Sequence, residues 1–149
     1  MAGVLVIGYG NPLRGDDGAG RALAERLSGQ ACDGVRVVAC HQLAPELAVD
    51  IGTAERVVLV DASTALAPGE VSESRLDPLA QGSPAGSSSH HLTPAALLGL
   101  SRELYGGSGE AWLVSIGVAS IEPRIGLSAP VEDGLIRAQA RVEALIRGS

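Results

Sequence analysis

Val4-Leu5-Val6-Ile7-Gly8-Tyr9-Gly10-Asn11-Pro12-Leu13-Arg14-Gly15-Asp16-Asp17-Gly18-Ala19-Gly20 opens the chain and carries most of its structural signal. Val4 to Ile7 are apolar and mostly β-branched, the composition of a buried parallel strand. Gly8, Gly10, Asn11 and Pro12 interrupt the run, as a sharp turn at a strand end requires. Asp16, Asp17 and Gly18 then lead into a helix over 21–27, where Leu23 and Leu27 fall one turn apart. Two carboxylates thus stand where a first strand hands over to a first helix, at the carboxyl edge of a parallel sheet. In open α/β sheets that edge is where ligands bind.

A glycine-rich turn after a first strand invites a dinucleotide-binding reading. That fingerprint places a third glycine three residues after the second, and Leu13 stands there instead. The loop also brings two negative charges to the place where helix amides would attract a pyrophosphate. Aspartate is a favoured N-cap, so one of the pair is expected to cap the helix. Assigned to Asp16, that role predicts a loss of about 1 kcal/mol on Asp16→Ala. Asp17 is then left over for chemistry.

The remaining chain repeats the same alternation of strand and helix. Val35 to Cys40 and Arg56 to Ala62 read as strands, the second ending in Asp61 after four consecutive apolar residues. A short helix is expected over 41–51, with Pro45 in its first turn. Gly69 to Arg75 alternates like an edge strand. Leu79 to Ser89 is a loop of Gly, Ser, Pro and Ala, ending at His90 and His91. Thr93 followed by Pro94 caps a helix over 95–104. Glu110 to Val118 is the last strand, 120–128 an ordered loop, and 131–147 a closing amphipathic helix. These elements predict a single domain over 1–149 of α/β class: a three-layer α/β/α sandwich around a mostly parallel five-stranded sheet.

Composition excludes several functions. The net charge of -6 and the near absence of aromatic side chains argue against a nucleic-acid partner. No apolar stretch approaches the ~20 residues of a membrane span. The N-terminus runs straight into a strand without a signal core, so a cytoplasmic location is expected. Cys32 and Cys40 lack metal-type spacing, and Cys40 reads as a small buried hydrophobe. A monomer is the expected form.

Asp61, directly after a buried strand, shares the sheet edge with Asp17. Its local alternative is a turn or cap role, since Ser63 and Thr64 follow. Asp17, Asp61 and a histidine of the 87–92 loop together make a borderline-hard donor set suited to zinc, nickel or a similar divalent ion. Three protein ligands leave coordination positions open, as catalytic sites do.

These residues stand in a pattern that resembles the hydrogenase maturation proteases, the endopeptidases that trim the C-terminal extension of a nickel–iron hydrogenase large subunit. The matching blocks are Gly8 to Gly20, Val60-Asp61-Ala62, His90-His91-Leu92 and Glu122 to Ser128. The resemblance implies that Asp17, Asp61 and His90 bind nickel, His90 being chosen because that family places its histidine two residues before a leucine. It implies Asp17 as the catalytic residue, acting as ligand, base or both by turns. It implies a large-subunit precursor as partner, and nickel that belongs to that substrate. One segment departs from the pattern. After the second strand the family carries glycine–threonine, whereas this chain has His41-Gln42-Leu43-Ala44-Pro45-Glu46-Leu47, which offers His41 as an extra ligand. The competing class is a non-catalytic module of the same fold, binding a metal or a dinucleotide within an assembly pathway.

Overall fold

The computed structural model describes residues 3–30, 33–77, 92–107 and 109–148. Strands β1 (Val4–Tyr9), β2 (Val35–Cys40), β3 (Arg56–Ser63), β4 (Val71–Leu76) and β5 (Glu110–Gly117) alternate with helices α1 (Ala19–Ser28), α2 (Leu47–Thr53), α3 (Pro94–Tyr105) and α4 (Ala129–Arg147). The strands form one sheet in the order β2-β1-β3-β5-β4. All neighbours are parallel except β4, which runs antiparallel to β5 at one edge. The three-layer α/β/α sandwich with a mostly parallel five-stranded sheet, expected from sequence, is observed.

The layers follow from side-chain alternation along the strands. Val6, Val58, Val60, Val114 and Ile116 point to one face, where Leu23 and Leu27 of α1 and Leu135, Val142 and Leu145 of α4 cover them. Leu5, Ile7, Val57, Leu59 and Ala111 point to the other, against Ala48 and Ile51 of α2 and Leu97 and Leu98 of α3. The central strands are apolar on consecutive residues because both faces are covered. Without phenylalanine, these aliphatic side chains make the core.

The same alternation places the polar residues. Beyond Ile7, Leu59 and Leu113, the next residues on the α2–α3 face are Tyr9, Asp61 and Ser115. Strand β3 runs two residues past Asp61, because Ala62 and Ser63 pair with Ile116 and Gly117 of β5. Asp61 therefore lies within a strand and not in the turn after it. Helix α2 also begins later than expected. Leu43 is buried and anchors the segment, and Leu47, Ala48 and Val49 donate to carbonyls three residues back before the α-helix takes over. His41 and Gln42 are left as an exposed bend at the end of β2.

Helix α1 lies unusually close to the sheet. A Cβ on Gly20 would collide with the carbonyl oxygen of Val60 and stand 2.7 Å from that of Tyr9. Gly20→Ala is accordingly expected to destabilise the fold by about 3 kcal/mol, since overpacking here presses on backbone that cannot yield. Urea denaturation at neutral pH measures it; a loss below about 1 kcal/mol would mean that the helix can back away.

Candidate active site

The first turn and the second strand-end meet at the carboxyl ends of β1 and β3. A single 3-10 turn, Gly15–Gly18, joins the loop after β1 to α1. It turns Asp17 toward a cavity of about 240 Å3 whose lining includes Tyr9, Asn11, Arg14, His41, Asp61 and Leu92. The two aspartates expected at one sheet edge thus share one cavity.

Asp61 is held at both oxygens. Ser115 Oγ donates to Oδ1 at 2.7 Å and Tyr9 OH to Oδ2 at 3.1 Å. Asp61 and Ser115 are register partners on adjacent strands, so their side chains stand side by side. Burial pushes the Asp61 carboxyl above the usual aspartate range; the two hydrogen bonds oppose that shift and the nearby Asp17 charge adds to it. The Tyr9 hydroxyl is driven far up, first by burial and then by the Asp61 charge, so Tyr9 stays a neutral donor at neutral pH. Ser115 had no motif to announce it, and Tyr9, though inside the Gly8 to Gly20 block, is not singled out by it. The signal was strand parity: each falls on the same face as Asp61.

Asp17 accepts a 2.9 Å hydrogen bond from the Asn11 amide on Oδ2, and Asn11 Oδ1 accepts from the Leu13 amide. Among the described residues, no hydrogen bond restrains Asp17 Oδ1. In a dinucleotide fold the loop amides would be offered to phosphate; here a carboxylate and an asparagine side chain take two of them. The loop is built to aim an acid, and this weighs against the dinucleotide alternative.

Asp16 does not cap the helix. Among the described residues, neither the 3-10 turn nor α1 has a side-chain cap; Gly18 holds the N-cap position of α1. Asp16 is buried instead, at 2% exposure. Its carboxylate accepts hydrogen bonds from the amides of Ala119, Ser120 and Ser128 and from Ser128 Oγ. It pins the 119–128 loop beneath the first loop. Burial alone would raise its carboxyl, but the Ser128, Ala119 and Ser120 bonds outweigh that and hold it below the usual range.

A folded-state value below the unfolded one means stability that is present above the ordinary aspartate pKa of ~3.9 and lost as pH falls through the lower folded value. The stability gap between the parent and Asp16→Asn should therefore be wide at pH 6 and narrow by pH 3. Urea titrations at the two pH values measure this; a gap independent of pH would contradict the assignment.

His90, the expected third ligand, lies outside the described residues, as do His91 and Cys32. Leu92, two positions after His90, lines the cavity. His41 lines it too, yet among the described residues no three His, Cys, Asp or Glu side chains are grouped to hold a metal ion. The two aspartates alone form an incomplete, oxygen-only donor set, which suits a divalent ion that brings other ligands with it. Cys40 is half-buried and packs against the α2–α3 core. Burial raises its thiol, with Arg21 opposing, so it is no ready nucleophile. Among the described residues no helix is long and apolar enough to cross a membrane.

No protein-family model matches the chain, and no curated protein does. Solved structures do. The [NiFe] hydrogenase maturation protease HybD from Thermococcus kodakarensis superposes with a TM-score of 0.77 at 29% identity, over 98% of this chain and 99% of its own. The hydrogenase-maturating endopeptidase HybD from E. coli gives 0.76 at 27% identity, over 99% and 93%. The maturation protease HycI from T. kodakarensis reaches 0.79 at 23% identity, which speaks for the fold alone. The likeness to hydrogenase maturation proteases read from the sequence is borne out over nearly the whole chain.

Proposed function

We propose that this chain is an endopeptidase that removes the C-terminal extension of a nickel-loaded hydrogenase large-subunit precursor. The observation that carries the reading is the pair Asp17 and Asp61 in one small cavity, on a fold shared over nearly the whole chain with proteins named as hydrogenase maturation proteases. Asp61 is oriented by Tyr9 and Ser115 and acts as a fixed anionic ligand. Asp17, restrained at one oxygen, serves as ligand and as the base toward an attacking water. His90 completes the protein's donors, and nickel arrives as part of the substrate.

An incomplete site holds a metal weakly by itself and better when the precursor supplies the remaining ligands. Cleavage would then depend on a correctly loaded metal centre and on docking, more than on a pocket for one side chain. Calorimetric titration of the chain with nickel, zinc or cadmium should show one weak site. Asp17→Ala, Asp61→Ala and His90→Ala should each weaken it by roughly tenfold or more, as loss of a whole ligand must at least match the ~10–100-fold cost of losing an outer-shell partner. Unchanged binding in all three variants would remove the metal reading. The function itself is tested by incubating the chain with nickel-loaded precursor and following the large-subunit mass; an unprocessed precursor would refute it.

A further inference from the structure

The 121–126 loop carries no part of the chemistry above, yet it is built with care. Arg14 and Arg124 form an isolated parallel bridge, with Gly15 N donating to Arg124 O at 2.8 Å and Arg124 N to Leu13 O at 3.1 Å. Arg14 Nε adds a 3.2 Å bond to Ile121 O. Gly15 takes φ +60, a left-handed turn that suits glycine, where the two segments meet. The buried Asp16 carboxylate ties both segments from below. On this double-tied platform stand three large apolar side chains that the fold leaves in water: Leu13 at 62%, Ile121 at 36% and Ile125 at 84% exposure.

Exposed isoleucines contribute little to folding, and several exposed apolar side chains gathered on two hydrogen-bonded loop segments mark an interaction site. The platform adjoins the cavity, since Arg14 belongs to both. The exposed charges there are Arg14, Arg124 and Glu122; Asp16 of the same segment is buried beneath them and Asp17 faces the cavity. Resting on the proteolytic reading above, we infer that Leu13, Ile121 and Ile125, flanked by Arg124, dock an apolar, acid-rimmed face of the precursor's folded body. The extension itself threads into the cavity beyond Arg14. A platform already ordered by backbone bonds loses little entropy on binding, and its exposed arginines can pair at short range with carboxylates on the docked face.

The test measures binding of the chain to purified nickel-loaded precursor by calorimetry, with cleavage followed separately by mass. Leu13→Ser and Ile125→Ser should each weaken binding roughly tenfold, the effect of losing one apolar anchor, with an unchanged melting temperature. Arg124→Glu should weaken it as well, most at low salt. Ile136→Ser, an exposed isoleucine on α4 outside the platform, should bind like the parent. Equal binding by the parent and the Leu13 and Ile125 variants would overturn the inference, as would a parent that does not bind. So would variants that alter self-association of the chain but not precursor binding. A parent that binds through Leu13 and Ile125 without cutting would sink the proteolytic reading and leave the platform standing. A parent that cuts, with variants that bind equally, would do the reverse.

Discussion

Asp17→Asn should abolish release of the extension, lowering the cleavage rate by about 10^3-fold or more, the scale set by removing a positioned base, while leaving the fold intact. The amide is isosteric with the carboxylate and can still accept from the Asn11 N–H through its one carbonyl oxygen. What it loses is the negative charge that attracts a divalent ion and the basicity that takes a proton from water. Stability should fall by less than about 1 kcal/mol, as befits a half-exposed neutral replacement. Single-turnover cleavage of nickel-loaded precursor, read beside the melting temperature, separates the two quantities. Residual cleavage within tenfold of the parent would move the base to another residue.

Its neighbour should behave in the opposite way. Asp16→Ala is expected to cost about 3–4 kcal/mol, because three amides and a hydroxyl lose a charged, buried acceptor together. That is a large share of the ~5–15 kcal/mol that holds a domain folded. Ser128→Ala removes only the hydroxyl bond, leaving the Ser128 amide in place, and should cost about 1 kcal/mol. Urea denaturation of both variants at neutral pH measures the difference. A loss near 1 kcal/mol for Asp16→Ala would restore the helix-start role that the sequence pattern proposes.

The contrast between these adjacent aspartates shows what local pattern can and cannot carry. Asp16 looks like a cap because aspartate before a helix usually is one. Its true partners lie 103 to 112 residues away, on a loop that only the closed fold brings beneath it. The strands were readable because burial on both faces writes consecutive apolar residues into Val57 to Val60 and Val4 to Ile7. The sharing of one cavity by Asp17 and Asp61 was readable because both follow apolar runs in a parallel sheet, which fixes their common edge.

Boundaries were less legible. Ladder pairing with β5 carries β3 past Asp61, and burial of Leu43 delays α2 so that His41 stays in the bend by the cavity. Tyr9 and Ser115 were visible in principle through strand parity. Recognising them required knowing that β1, β3 and β5 are neighbours, an order that no local signal reveals.

The sharpest test of nickel-dependent proteolysis follows the intact mass of the large subunit after incubation of the chain with the same precursor, once nickel-loaded and once nickel-free. The account predicts loss of the C-terminal extension in the loaded sample alone, and no loss with Asp17→Asn. Equal processing of the nickel-free precursor would contradict it.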